Sequence, residues 1–148
     1  MKILIMGLPG SGKTTLAMAL KVKLEEHGKT VTWLNADHVR QSYNDWDFSY
    51  EGRIRQSVRM SDLASVTETD FVIADFVAPL QQMRTIFNAD YVIWMDTIKK
   101  SIYEDTNRAF DEPTRVSMRI TEQDAEKWAE IIGKILARDP NEQISYQI

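Results

Sequence analysis

The stretch Gly7-Leu8-Pro9-Gly10-Ser11-Gly12-Lys13-Thr14 has the residue types and spacing that bind the phosphates of a nucleotide. Glycines at the first and sixth positions, followed by a lysine and a hydroxyl residue, form the P-loop pattern. Glycine lets the backbone approach an anion closely, and the loop's N–H groups converge with the positive end of the following helix. The pattern therefore predicts that ATP binds here, together with Mg²⁺.

The residues of this loop have separate predicted roles. Lys13 is expected to neutralise charge on the β- and γ-phosphates and to act in catalysis, whereas Thr14 offers its hydroxyl to Mg²⁺. The predicted nucleotide contacts are Gly7, Gly10, Ser11, Gly12, Lys13, Thr14 and Thr15. The alternative is an ordinary glycine-rich turn between a strand and a helix. An apolar run before the loop and helical spacing after it favour the P-loop.

A second group of residues could bind another anion. Asp37 and Arg40 follow the second predicted strand, and Phe48 precedes a predicted helix that carries Arg53 and Gln56. Residues three apart share a helix face, so Arg53 and Gln56 are predicted to point at one ligand, with Arg40 beside them. Phe48 offers a flat surface for a base. Asp37 is predicted to hold a magnesium-bound water or to orient the attacking hydroxyl.

Each of these residues also has a structural alternative. Asp37 could cap a helix. Arg53, and more readily Arg55 and Arg59, could belong to a solvated helix face. Asp75 ends an apolar strand, where it could bind the magnesium shell or only cap the following turn.

Alternating strands and helices position these residues. The predicted strands are the apolar runs Lys2 to Met6, Val31 to Leu34, Phe71 to Ala74 and Tyr91 to Met95, with Arg115 to Ile120 as a fifth. The first predicted helix begins near Lys13 and ends at a Gly28 cap. Three further helices are predicted over Glu51 to Thr69, Pro79 to Phe87 and Thr121 to Ala137. The N-cap of the last helix is predicted at Thr121 with Asp124, and Asp139-Pro140 is predicted to end that helix. Apolar residues alternate from Asn141 to Ile148, which predicts either a strand or a loose tail.

This order predicts an α/β protein: a three-layer α/β/α P-loop nucleoside triphosphate hydrolase-like fold with a five-stranded parallel sheet and ligands at the carboxyl ends of the strands. The chain of 148 residues is 43% hydrophobic and 27% charged, as expected of one domain spanning residues 1–148. Its net charge of -4 provides no general attraction to nucleic acid or to an anionic membrane, so a small-molecule partner is predicted.

The chain contains no cysteine, which excludes disulfides and thiolate metal sites. No apolar run approaches the ~20 residues that span a bilayer, and a cytoplasmic location is predicted. Homodimer formation stays open.

The P-loop and the stretch from Asn35 to Arg59 together resemble the adenylylsulfate kinase family. That family reads Asp-Gly-Asp-Asn-x-Arg after its second strand, and this chain has Asn35-Ala36-Asp37-His38-Val39-Arg40. The family's Gly-Phe-Ser and Asp-Arg-x-Glu-Asn correspond to Asp47-Phe48-Ser49 and Gly52-Arg53-Ile54-Arg55-Gln56. Its Phe-Ile-Ser-Pro corresponds to Phe76-Val77-Ala78-Pro79, with Asp75 where the family has serine. The resemblance covers about the first 100 residues.

The resemblance implies ATP-dependent phosphorylation of the 3′-hydroxyl of adenosine 5′-phosphosulfate. It implies that Phe48 stacks on the acceptor's adenine, that Arg40, Arg53 and Gln56 bind its phosphosulfate, and that Asp37 serves catalysis. Phe76, Val77 and Ala78 would line the same pocket with backbone groups.

A closing segment within residues 103–116 is predicted to exclude water during transfer, although it lacks the family's basic Lys-Gly-Leu-Tyr-Lys-Lys-Ala-Arg stretch. Two alternatives to this activity stay open: a kinase for another small hydroxyl acceptor, and a nucleotide-binding regulatory module with weak ATPase activity.

Overall fold

The five predicted strands form one parallel sheet in a computed structural model that describes residues 1–138. They are β1 (Lys2–Met6), β2 (Val31–Asn35), β3 (Phe71–Asp75), β4 (Tyr91–Met95) and β5 (Met118–Ile120). Their order across the sheet is β2-β3-β1-β4-β5. The switch in connection direction falls beside β1, so the loop that follows β1 opens at the point where such sheets bind ligands.

Helices connect the strands and cover the sheet. They are α1 (Lys13–Glu26), α2 (Ala36–Tyr43), α3 (Tyr50–Ser65), α4 (Gln81–Phe87), α5 (Glu104–Ala109) and α6 (Ala125–Leu136). In residues 1–138, none of the helices combines the length and apolar character needed to cross a bilayer.

Alternation along β1 explains why both faces of the sheet need a helical layer. Ile3 and Ile5 pack on one face against α1 and α6, whereas Leu4 and Met6 pack on the other face against α3 and α4. All four side chains are completely buried. Because a strand sends successive side chains to opposite faces, a continuous apolar run is stable only between two layers. The predicted three-layer α/β/α fold is therefore confirmed.

Several predicted boundaries need correction. The prediction omitted α2 and α5, which contain only eight and six residues. α3 ends at Ser65 rather than Thr69, α4 begins at Gln81 rather than Pro79, and β5 begins at Met118 rather than Arg115.

The predicted N-cap at Thr121 is wrong. Asp124 caps α6 by accepting a hydrogen bond from the Lys127 backbone N–H, so the helix begins at Ala125. The left-handed cap at Gly28 is confirmed by its φ of 78°. The predictions for Asp139-Pro140 and for residues 141–148 lie outside the described residues.

The register of the sheet brings two distant polar residues together. Asn35 at the end of β2 pairs directly with Asp75 at the end of β3, and Asp75 also pairs with Ile5 of β1. The carboxyl ends of these strands therefore place an amide and a carboxylate beside the loop that begins at Gly7.

Candidate active site

The loop between β1 and α1 has the backbone geometry of a phosphate cradle. Gly10 and Gly12 have φ angles of 84° and 99°, which side chains other than glycine rarely adopt. A Cβ on Gly7 would lie 2.7 Å from the Met95 carbonyl oxygen, so this position also excludes any larger residue. The first N–H groups of α1 lack partners within the helix, which makes them available to an anion.

Two residues that the sequence did not indicate, Thr97 and Gln123, donate hydrogen bonds to backbone carbonyl oxygens of this loop. The Thr97 hydroxyl donates to the Ser11 carbonyl oxygen over 2.7 Å, and the Gln123 amide donates to the Gly10 carbonyl oxygen over 3.2 Å. Both lie more than 80 positions away along the chain, and no local pattern marks them. Gln123 also closes a cavity of about 310 Å³ whose other lining residues are Gly10, Gly12, Lys13, Thr14 and Thr15.

The Lys13 ammonium is partly buried without a salt-bridge partner among residues 1–138, which favours binding of an anion. Its Nζ donates to the Leu8 carbonyl oxygen over 2.9 Å. Burial lowers the pKa of Lys13 to about 8, against the opposing effect of the carboxylates Asp75 and Asp37. A bound polyphosphate would supply the negative charge that this half-buried cation lacks.

Asp75 is a buried carboxylate directly beside the loop. It is 3% exposed and accepts hydrogen bonds from Trp33 Nε1 over 2.6 Å and from Asn35 Nδ2 over 3.1 Å. Burial raises its pKa to about 6, although both hydrogen bonds and Lys13 act in the opposite direction. Asn35 Nδ2 also lies 3.4 Å from the Thr14 hydroxyl, so one amide joins both predicted magnesium ligands.

Asp37 lies in the first turn of α2 and is exposed. It is not the cap of that helix, because the Asn35 side chain accepts the hydrogen bond from the His38 backbone N–H. The charge of Asp37 acts to raise the pKa of both Lys13 and Asp75. The helix-cap alternative for Asp37 is therefore wrong.

Thr14 and Asp75 fit a magnesium ion chemically. Mg²⁺ prefers oxygen ligands from one or two side chains and keeps several waters. A hydroxyl and a carboxylate held by one common amide would supply those ligands. The contact of Asp37 with a magnesium-bound water stays a prediction.

Two arginines converge on the ring of Phe48. The guanidinium carbons of Arg40 and Arg53 lie 4.3 Å and 5.7 Å from its centroid. Arg40 is 4% exposed and donates to the carbonyl oxygens of Asp45 and Asp47, and Arg53 donates to the Phe48 carbonyl oxygen. Phe48 itself is 53% exposed, so it can still contact a ligand.

The neighbouring arginines have a different role. Arg55 and Arg59 form salt bridges with Asp45, at 2.7 Å and 2.9 Å, and Arg55 also pairs with Asp47. They brace the loop before α3, so the solvated-face alternative does not describe Arg59, whose side chain is only 13% exposed.

Gln56 is more deeply engaged than a free ligand would be. It is 3% exposed, its amide donates to the Ala36 carbonyl oxygen, and its carbonyl accepts from Arg59. It thereby ties α3 to the start of α2, and direct contact with the acceptor stays a prediction.

The segment after β3 is fixed by Arg84. Phe76 is buried against Phe87, and Ala78 has a φ of 46°. Arg84 Nε donates to the Ala78 carbonyl oxygen over 2.9 Å, which holds that strained turn. Val77 is half-buried between them, so these three residues form one braced segment, and their contact with the acceptor stays a prediction.

The segment of residues 103–116 approaches this site from the other side. It contains α5, and Arg53 Nη2 donates to the Thr106 hydroxyl over 2.9 Å. A cavity of about 110 Å³ separates the segment from the P-loop, and its lining includes Leu8, Asp96, Asn107 and Phe110.

A five-stranded parallel sheet whose first strand leads into a P-loop has the fold of the P-loop kinases. The sequence model of the adenylylsulphate kinase family matches residues 1–108 of this chain. The chain belongs to the adenylylsulphate kinase family. The match ends within α5, and the end of the 103–116 segment, β5 and α6 lie beyond it.

Curated relatives share this first part of the chain. The adenylyl-sulfate kinase of Bacillus pumilus is 39% identical over 87 residues, which are 57% of this chain and 44% of that protein. A probable adenylyl-sulfate kinase of Aeropyrum pernix is 36% identical over 83 residues, or 54% and 45% of the two chains. The matched part thus spans less than half the length of these relatives.

Solved structures agree on the fold. The Mycobacterium tuberculosis APS kinase in complex with AMPPNP and APS superposes with a TM-score of 0.77 at 21% identity, covering 93% of this chain and 97% of that one. Shikimate kinase from Aquifex aeolicus superposes with a TM-score of 0.63 at 13% identity, covering 89% and 93%.

Proposed function

We propose that this chain transfers the γ-phosphoryl group of MgATP to the 3′-hydroxyl of adenosine 5′-phosphosulfate. One observation carries the proposal: in a chain that also carries a P-loop, Arg40 and Arg53 lie together over an exposed aromatic ring, and both are held by uncharged oxygens. An acceptor with a base and a charged anhydride suits such a ring and pair of cations. The family and a related structure with APS bound support the same acceptor.

Transfer requires one bond to form while another breaks. The acceptor oxygen bonds to the γ-phosphorus as the bond from that phosphorus to the β–γ bridging oxygen breaks, which releases ADP. Lys13 offsets charge on the phosphate oxygens, and Asp37 orients the hydroxyl and accepts its proton. Mg²⁺, held by Thr14 and Asp75 when bound, supplies further charge neutralisation.

The test measures ADP release from MgATP with and without adenosine 5′-phosphosulfate. We expect strong stimulation by the acceptor in the unchanged protein, and its loss in Lys13→Ala. Lys21→Ala is the matched control, because Lys21 lies on the exposed side of α1 and pairs with Glu25. Arg53→Ala should raise the KM for the acceptor at least tenfold, whereas Arg108→Ala, which removes a 71% exposed side chain, should change it less than twofold.

A kinase for another hydroxyl acceptor is the second candidate. It is favoured by the segment of residues 103–116, because the family match ends within this segment, at residue 108. Stimulation by other hydroxyl compounds and none by adenosine 5′-phosphosulfate would support it. ATP binding without turnover under any acceptor would contradict both kinase proposals and favour a regulatory module.

A further inference from the structure

We propose that Thr106 of α5 is a positioning residue that orients Arg53 toward the acceptor and couples acceptor binding to closure of the 103–116 segment. The inference rests on the proposed function, because it takes Arg53 as an acceptor ligand. Its starting observation is the 2.9 Å hydrogen bond from Arg53 Nη2 to the Thr106 hydroxyl, between residues 53 positions apart.

The first argument is burial. Thr106 is 7% exposed, whereas its neighbours Asp105 and Arg108 have side chains that are 89% and 71% exposed. α5 therefore turns one polar side chain inward, and that side chain meets the guanidinium of α3. A buried hydroxyl needs a hydrogen-bond partner, and Arg53 satisfies it.

The second argument is charge. Within residues 1–138, the salt bridges of α3 involve Arg55 and Arg59 and their partners Asp45 and Asp47, but not Arg53. Arg53 is held instead by a carbonyl oxygen and a hydroxyl. A carboxylate partner would compete with an anionic ligand, whereas a neutral oxygen fixes the direction of the guanidinium and leaves its charge available. Two of the five N–H donors are used in these bonds, which leaves donors for an oxyanion.

The third argument is rigidity, because α5 is braced before and after Thr106. Asn107 accepts hydrogen bonds from the backbone N–H and the hydroxyl of Ser101 and donates to the Ser101 carbonyl oxygen. Beyond the helix, the Asp111 backbone N–H donates to the Pro79 carbonyl oxygen over 2.7 Å, and Arg84 donates to both of these residues' carbonyl oxygens. In the docked position, these hydrogen bonds hold α5 so that the Thr106 hydroxyl faces Arg53.

Together these contacts imply reciprocal coupling. If the Thr106 hydroxyl orients Arg53 for the acceptor, then an acceptor bound to Arg53 must stabilise the docked position of α5 by the same free energy. Closure over the site would then follow occupation of the acceptor pocket, so that water is excluded once both substrates are bound.

The experiment compares Thr106→Val, which keeps the shape but removes the hydroxyl, with Thr106→Ser, which keeps the hydroxyl. We expect Thr106→Val to raise the KM for adenosine 5′-phosphosulfate about tenfold, with kcat changed less than threefold and the KM for ATP unchanged. Thr106→Ser should retain the low acceptor KM. In an Arg53→Ala background, Thr106→Val should have no further effect on the acceptor KM, because the two residues act as a unit. An unchanged acceptor KM in Thr106→Val, or an equal loss in Thr106→Ser, would overturn the proposal.

A second measurement separates this proposal from the identity of the acceptor. Amide hydrogen exchange of residues 104–109 reports whether α5 is docked, without turnover. Thr106→Val and Arg53→Ala should accelerate that exchange equally in the free protein, whereas Thr106→Ser should not. Absence of kinase activity in the unchanged protein would defeat the proposed function. Unequal exchange in Thr106→Val and Arg53→Ala would defeat the coupling.

Discussion

The buried carboxylate of Asp75 should weaken the folded protein as pH rises, and Asp75→Asn should remove this effect. The pKa of Asp75 is about 6 in the folded chain, against an ordinary value of 3.8. Between those values the folded state binds more protons than the unfolded state, so the free energy of unfolding decreases as pH increases. The decrease begins near pH 4 and is complete above pH 7.

The magnitude follows from the pKa difference. One pKa unit corresponds to 1.36 kcal/mol, so the whole effect is about 3 kcal/mol, of which about 1.4 kcal/mol falls between pH 5 and pH 8. Asn at this position does not titrate. The free energy of unfolding of Asp75→Asn, minus that of the unchanged protein, should therefore grow by about 1.4 kcal/mol over that range.

Urea unfolding at pH 5, 6, 7 and 8 without magnesium or nucleotide measures this difference. Asp45→Asn is the matched control, because Arg55 and Arg59 hold the pKa of Asp45 well below its usual range. Its carboxylate stays ionised throughout the range, so Asp45→Asn should destabilise the protein by the same amount at every pH. A difference for Asp75→Asn that also stays constant from pH 5 to pH 8 would refute the reasoning.

Asp75→Asn should also reduce the thermal stabilisation of the protein by MgATP. If Asp75 binds Mg²⁺, the unchanged protein should gain more thermal stability from MgATP than from ATP with EDTA, and Asp75→Asn should lose that increment. An equal magnesium increment in both proteins would remove Asp75 from the metal site.

Three further predictions concern Lys13 of the P-loop, Gly52 of α3 and Arg84 of α4. MgATP binding near pH 8 should take up about 0.5 proton, because the pKa of Lys13 is about 8 in the free protein and rises beside phosphate. Calorimetry in two buffers of different ionisation enthalpy measures this proton uptake, and zero uptake would contradict the prediction. Gly52→Ala should destabilise the protein by about 1–3 kcal/mol and raise the acceptor KM, since the added Cβ would lie 2.2 Å from the Asp47 carbonyl oxygen. The control Gly28→Ala should lower the melting temperature but leave the acceptor KM unchanged. Arg84→Met should cost about 3 kcal/mol in urea unfolding, because the Ala78 and Asp111 carbonyl oxygens lose their donor and the Pro79 carbonyl oxygen keeps only the Asp111 N–H. A loss below about 1 kcal/mol would contradict that role.

Much of the fold was predictable because its signals are local. β1 and β4 match their predicted bounds because a buried strand is a continuous apolar run within its own residues. α1 begins at Lys13 as predicted, and its spacing of Leu16, Ala17, Leu20 and Leu24 is likewise local. Short elements lack that redundancy. α5 has six residues, and the cap of α6 at Asp124 competes with a similar signal three residues earlier.

The candidate site divides in the same way. Its P-loop was predictable residue by residue, since eight consecutive positions carry both the backbone geometry and the charge. The braces Thr97 and Gln123 were not, because neither belongs to a pattern near its own position and each reaches the loop only through the folded sheet. The family resemblance supplied Arg53 but offered no partner for it in the divergent 103–116 segment.

The sequence by itself therefore determined the phosphate loop, the strands and the family, because contiguous residues encode them. Only the tertiary structure decided which arginines keep their charge available for a ligand. Arg53, Arg55 and Arg59 look alike on one helix, yet two meet Asp45 and the third meets the Thr106 hydroxyl. That difference depends on where a chain segment 53 residues away docks, and such long-range placement follows from packing of the whole sheet and its helices rather than from local periodicity.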